Sequence, residues 1–326
     1  MQAVIRTGDP KSLTIAKIPE PQASEFPNHY IIRTRATALT RGELAWPEPL
    51  QPEIPIPGYD FAGVVISAPE GAHRFNPGDE VYGLTSFSRQ GNAREVTIAT
   101  EEELCKKSKN RDWIEAASIP LSALSAYQAL VEHGNLTLST RSEVTGESTT
   151  MRRKRVLVTA ASGGVGVWGV QLARQFDADV VATCGSSNID FVKSLGADTV
   201  LDYSTTRAID WVGQEKEERG FDIILDCIGG KSLEDAWRCA RAGGKVVSVA
   251  EPPDPKKPEG GVTDGVTGTF FIVEPNKEQL GKITEMMENG GCRGVVDSVF
   301  GLEQWKSGFD RLESGHARGK VVLTLD

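Results

Sequence analysis

The stretch Arg155-Val156-Leu157-Val158-Thr159-Ala160-Ala161-Ser162-Gly163-Gly164-Val165-Gly166 decides how the rest of the chain reads. Val156 to Val158 is a short apolar run with β-branched residues, suited to a strand buried on both faces. Small residues end it and three glycines follow. Val167, Trp168, Val170, Leu172 and Ala173 then fall at helical spacing. A strand, a glycine turn and a helix in that order gather backbone N–H groups and a helix N-terminus at one point, where a pyrophosphate can sit. Ala160 stands where the first glycine of G-x-G-x-x-G would be. The turn alone is therefore a weak signal, which can also be read as tight helix–strand packing.

Downstream, strand and helix alternate. Strands are expected at 179–184, 199–201, 221–227 and 245–250, with helices at 188–195, 206–218 and 232–240 between them. Such alternation predicts a parallel sheet with helices on both faces, the opening stretch being its first strand–helix unit. Residues 251–268, rich in Pro, Gly and Lys, read as a loop. A strand at 269–273, a helix at 276–287, a strand at 295–300, a helix at 302–312 and a strand at 320–325 close the chain.

Upstream, residues 1 to about 120 carry short, often alternating apolar runs punctuated by Pro, Gly, Asn and Asp, the pattern of a β-rich unit. Five prolines between 46 and 57 predict an extended surface loop. Helical packing is expected over 112–131, at the crossing between domains. Residues 137–154 hold hydroxyls and the start of the Met-Arg-Arg-Lys-Arg run at 151–155, with almost nothing apolar, which reads as a mobile surface loop. The boundaries expected are 1–124, 125–268 with the polar insertion, and a return segment 269–326 that packs on the first unit.

With 326 residues the chain can build two ordinary cores. The formal net charge of −9 argues against nucleic acid as a main partner. Five cysteines without a C-x-x-C pair argue against a structural zinc or a disulfide framework and fit a reducing compartment, read as the cytoplasm. The N-terminus is charged too soon for a signal peptide, and no run of about 18 apolar residues predicts a membrane span.

The second strand of a dinucleotide fold usually ends in an acidic residue that binds the adenosine ribose. Here it ends Val181-Ala182-Thr183-Cys184, followed by Gly185-Ser186-Ser187-Asn188. Hydroxyls without a carboxylate favour a 2′-phosphate, hence NADPH, with Lys193 the nearest cation and Tyr203 placed to stack near the adenine. Ser187 also reads as an N-cap, with Asp190 at the third helical position.

Taken together the residues resemble the zinc-independent medium-chain dehydrogenase/reductases, in the quinone oxidoreductase-like and enoyl reductase-like branch. The markers are Pro57-Gly58-Tyr59-Asp60-Phe61-Ala62-Gly63-Val64-Val65, Asn76-Pro77-Gly78-Asp79-Glu80-Val81-Tyr82-Gly83 and Ala116-Ala117-Ser118-Ile119-Pro120. The Ala-Ala-Ser-Gly-Gly-Val-Gly turn, Leu195-Gly196-Ala197-Asp198, Phe221 to Asp226 and Arg318-Gly319-Lys320-Val321-Val322 complete the series. The resemblance implies an α/β fold: a GroES-like β-rich catalytic domain plus a Rossmann domain, a doubly wound parallel sheet that binds the nucleotide. It implies that Ser162, Gly163, Gly164, Val165 and Gly166 line the pyrophosphate and that Ser186, Ser187 and Tyr203 line the adenosine phosphate. Asn188 replaces a lysine that many relatives carry. By the same resemblance Ile228, Phe270, Phe271 and Val273 lie beside the cofactor, and Arg318 and Lys320 reach its phosphates. A homodimer is also implied.

Zinc alcohol dehydrogenases of this superfamily need three protein ligands. The positions that would supply a thiolate and an imidazole read Thr40 and Tyr59, so no metal is expected. Without a Lewis acid, reduction of an activated double bond or quinone is favoured over alcohol oxidation. Tyr59 is the expected donor to the enolate, with Thr40 and Arg41 orienting a carbonyl oxygen. The function expected is an NADPH-dependent reductase of small enones, enoyl groups or quinones, with relatives in quinone detoxification, enoyl reduction and polyketide or secondary metabolism. The alternative is an NADPH-binding protein without turnover.

Overall fold

A computed structural model describes residues 1–7, 12–46, 55–138 and 152–325. Most of the proline-rich stretch and of the polar insertion lies outside the described residues. The chain divides into two compact units, Met1–Leu124 with Glu274–Asp326, and Ser125–Val273.

The first unit opens with a hairpin, β1 (Gln2–Arg6) and β2 (Leu13–Lys17). It continues with β3 (Tyr30–Leu39), β4 (Asp60–Ser67), β5 (Glu80–Leu84), β6 (Val96–Ala99) and β7 (Leu104–Lys106). Helices α1 (Trp113–Ala117) and α2 (Pro120–Tyr127) follow. Pro120 separates them because it cannot donate within a helix but fits a first turn. The expected helical stretch is thus broken in two, and the passage into the second unit falls inside α2.

The second unit contains β8 (Arg155–Val158), α3 (Gly164–Gln175), β9 (Asp179–Cys184), α4 (Ile189–Ser194) and β10 (Thr199–Asp202). Next come α5 (Ala208–Val212), α6 (Lys216–Arg219), β11 (Phe221–Asp226), α7 (Gly230–Cys239), β12 (Ala240–Ser248) and β13 (Thr267–Phe270). Among the described residues its sheet runs β10-β9-β8-β11-β12-β13, parallel throughout. The order reverses between β8 and β11, so the carboxyl ends of these strands form the switch point where such sheets take ligands. Leu157, Val181, Phe221, Ile224, Leu233 and Trp237 form the core under it.

The expected helix over 206–218 is two short helices, since Gly213 turns the chain with φ +55°. The return to the first unit falls after Val273 rather than after 268, because β13 still pairs in parallel with β12. There α8 (Lys277–Glu288), β14 (Val296–Gly301), α9 (Trp305–Glu313) and β15 (Lys320–Thr324) complete the first unit. Its main sheet runs β14-β15-β3-β4-β5-β7, with β6 also on β3. The last strand is therefore inserted against β3 in antiparallel register, Val321 opposite Leu39.

Candidate functional site

In the second unit, β8 ends at Val158 and Ala160 takes a left-handed φ of +48° before the chain turns into α3. A Cβ on Gly166 would run into Ala160 O and Ala161 Cα, so glycine is required where helix and turn meet. At Gly163 an added Cβ would meet only Ala160 O, at 3.3 Å. Gly163 is the extended N-cap residue of α3 and makes no side-chain cap bond. Ser162, Gly163, Gly164 and Val165 are all partly accessible there. The N-terminal donors of this helix thus lie at a partly accessible glycine turn, an arrangement that fits a pyrophosphate.

Neighbouring strand ends supply polar groups. The hydroxyl of Ser186 donates to Asp202 Oδ2 at 2.6 Å, and Ser204 donates to Oδ1 through both its N–H and its hydroxyl. The Ser186 and Ser204 bonds hold the Asp202 carboxyl below its ordinary range. The sequence reading looked for a carboxylate at the end of β9 and missed the one that β10 brings beside it. Tyr203 is 63% exposed, and a Cβ on Gly185 would lie 3.1 Å from its hydroxyl. Ser187 lies within a 3-10 turn, Ser186–Asn188, which moves the helix N-cap to Asn188. Lys193 is exposed in the last turn of α4.

At the switch point Asp226 is fully buried. Its carboxylate accepts from Thr159 Oγ1 at 3.1 Å, Gly229 N at 3.0 Å and Ser248 Oγ at 2.9 Å. Burial pushes its pKa up, while these bonds oppose the rise. The cluster ties the ends of β8, β11 and β12 and carries the loop on which Ile228 stands half exposed. Phe270 ends β13 and is partly exposed, Phe271 packs on His133 with ring centroids 4.4 Å apart, and Val273 is buried.

The first unit gathers Thr40, Tyr59 and Lys320. A tight turn through Gly42, φ +79°, follows Thr40. The Glu43 carboxylate accepts from Thr40 N at 3.0 Å and Gly58 N at 2.8 Å. It thereby staples the stretch holding Thr40 to the one holding Tyr59 and Asp60. Gly58 sits at φ +79°, and a Cβ there would crowd Thr37 Oγ1 at 2.5 Å. Burial raises the Glu43 pKa to about 7, against the pull of these two backbone bonds and of Lys320.

Asp60, fully buried, accepts from Leu121 N at 2.6 Å in the first turn of α2. Its Oδ2 lies 3.1 Å from Lys320 Nζ. Burial pushes the Asp60 pKa up, and this buried ion pair opposes the rise. Lys320 Nζ also donates to Thr40 Oγ1 at 3.0 Å. The register of β15 on β3 explains this: one step beyond Val321 and Leu39, Lys320 stands opposite Thr40. The ammonium expected near the cofactor phosphates is thus engaged by Asp60 and Thr40. Arg318 is exposed, its backbone N–H donating to Asp297 Oδ1 at 2.8 Å.

Tyr59 stacks on Trp46 at 5.6 Å and meets the edge of Phe87 at 4.8 Å. Burial, then Glu43, pushes its pKa up to about 12, which keeps the phenol protonated at neutral pH. Buried Asn92 donates to Tyr59 O at 2.8 Å and fixes the backbone there. Trp46, Phe87 and Asn92 escaped the sequence reading, since only the fold brings them around Tyr59.

Residues 27–125 match the alcohol dehydrogenase GroES-like domain, and residues 195–323 match the family described as zinc-binding dehydrogenase. A probable zinc-binding oxidoreductase, mitochondrial, of Arthroderma benhamiae is 45% identical over 96% of this chain and 93% of its own. A chloroplast envelope quinone oxidoreductase homolog of Arabidopsis thaliana is 32% identical over 82% of this chain and 79% of its own. Among solved structures, an NAD-dependent alcohol dehydrogenase superposes with a TM-score of 0.83 at 27% identity, over 100% of both chains.

Proposed function

Because the chain belongs to the medium-chain dehydrogenase/reductase family, in its quinone oxidoreductase-like branch, we propose that it is a zinc-independent NADPH-dependent reductase. Its substrate class is small enones, enoyl groups or quinones. The observation that carries this reading is the donor set around Thr40 and Tyr59.

A zinc site wants thiolate, imidazole or free carboxylate. Here Tyr59 is a neutral phenol, both Glu43 oxygens accept backbone N–H groups, and Asp60 faces an ammonium. These groups do not fit a zinc ion. They do fit a developing oxyanion, which a hydroxyl and a phenol stabilise by donating hydrogen bonds.

The α3 end and the partly accessible turn at Gly163 and Gly164 would hold the pyrophosphate. The hydroxyls of Ser186 and Ser187 after β9 support NADPH as the form used, and the Asp202 carboxylate that Ser186 donates to works against it. When bound, the nicotinamide supplies hydride. Thr40 donates to the carbonyl oxygen as the electron pair moves onto it, and Tyr59 backs that donation from its aromatic box. Asp226 keeps the loop bearing Ile228 in place. Among the described residues no helix is long and apolar enough to cross a membrane. The free thiols support a reducing compartment, in our reading the cytoplasm.

The test is NADPH oxidation by metal-stripped protein over a panel of enones and quinones. Turnover untouched by chelator is expected. Activity that tracks zinc content, or NADPH binding with no turnover of any acceptor, would refute the reading.

A further inference from the structure

We infer that Lys320 is a positioning residue that fixes the Thr40 hydroxyl as a hydrogen-bond donor to the substrate oxygen. This rests on the reductase reading above. A lysine ammonium carries three donors and no acceptor. In the 3.0 Å contact Thr40 Oγ1 must therefore be the acceptor, leaving its single hydrogen for another partner. Among the described residues the hydroxyl donates to none, and Thr40 is partly accessible.

Lys320 is held in turn. It is 5% exposed, and buried Asp60 lies 3.1 Å from its Nζ. Asp60 is itself anchored on Leu121 N of α2. Two fixed points, a strand register and a helix end, thus set the direction from which the ammonium approaches Thr40. A donated charge-assisted bond also polarises the hydroxyl, making its own proton a better donor.

In the reaction, the hydride that a bound reduced nicotinamide would supply, with its own C–H bond broken and its ring oxidised, forms a new C–H bond at the β-carbon of an enone. The π pair shifts toward the carbonyl oxygen, which becomes an enolate oxygen. The Thr40 hydroxyl hydrogen-bonds that oxygen without transferring its proton. A proton from solvent then adds at the α-carbon, so the product gains one hydride and one proton. Lys320 touches none of the reacting atoms and acts through Thr40 alone.

A double-mutant cycle tests this with an enone substrate, reading kcat and NADPH Kd separately. Thr40→Val is expected to lower kcat by about 10²-fold, the usual effect of losing an oxyanion donor, and Lys320→Met by about tenfold. The double variant should be no slower than Thr40→Val, with NADPH Kd within about twofold of wild type throughout. Lys320→Met strands the Asp60 charge, so Lys320→Met/Asp60→Asn serves as a second background. It should recover stability while keeping the kcat loss.

Multiplicative losses in the double variant would overturn the inference, as would a Lys320→Met protein with normal kcat. A raised NADPH Kd at unchanged kcat would overturn it in favour of a phosphate contact. Wild-type protein that turns over no acceptor would overturn the reductase reading and this inference with it; wild-type turnover with normal Lys320→Met kcat would sink the inference alone.

Discussion

Glu43 shows how much one buried carboxyl can decide. It holds two backbone segments together, and burial raises its pKa from 4.5 to about 7. The folded chain therefore keeps a proton between those values that the unfolded chain has lost. Stability from this group is fully present below pH 4.5 and falls as pH rises toward 7, by at most roughly 3 kcal/mol. Urea unfolding at pH 5 and pH 7 should show this slope in wild type and a flatter one in Glu43→Gln; equal slopes would contradict it. Under the proposed cofactor site, Asp202 would act by charge at the adenosine end. A carboxylate that accepts the Ser186 hydroxyl opposes a 2′-phosphate brought near it. Asp202→Asn should therefore raise the NADPH-over-NADH preference several-fold, by roughly the several-fold that an exposed charge interaction is worth. An unchanged ratio of the two Kd values would rule that out. Neither residue stood out in the sequence, because each matters only through a partner that the chain's fold supplies.

At the scale of elements, the glycine turn was legible because strand period, turn residues and helix period change within a dozen positions. Its glycines divide the labour. Gly166→Ala drives a methyl into Ala160 and Ala161 and should cost roughly 1–3 kcal/mol of stability. Gly163→Ala keeps an allowed extended backbone, so its stability should change by less than about 1 kcal/mol. The same methyl crowds the surface offered to the pyrophosphate, so NADPH Kd should rise in this variant. Thermal unfolding beside NADPH titration separates the two; the opposite pattern would reassign the roles. Helix boundaries were less legible. Gly213 broke one expected helix, and a 3-10 turn displaced the cap from Ser187 to Asn188. Lys320 could not be read at all as a partner of Thr40, since 280 positions separate them and only the β15–β3 register joins them.

For the whole molecule, alternation of strands and helices was enough to foresee the parallel-sheet unit, while the return to the β-rich unit was expected from the shortness of the last segment and from the resemblance. The return point lay later than the composition suggested, because a loop rich in Pro and Gly gives no sign of the edge strand that follows it. The proposed reduction turns on a hydride transfer. The most direct measurement uses NADPH deuterated at the transferable position of the nicotinamide, with metal-free protein and an enone, and follows the label by mass spectrometry. Deuterium on the β-carbon, with the yield sharply reduced in Thr40→Val, is the result expected. Unlabelled product, or labelling that appears only after zinc is added, would contradict the account.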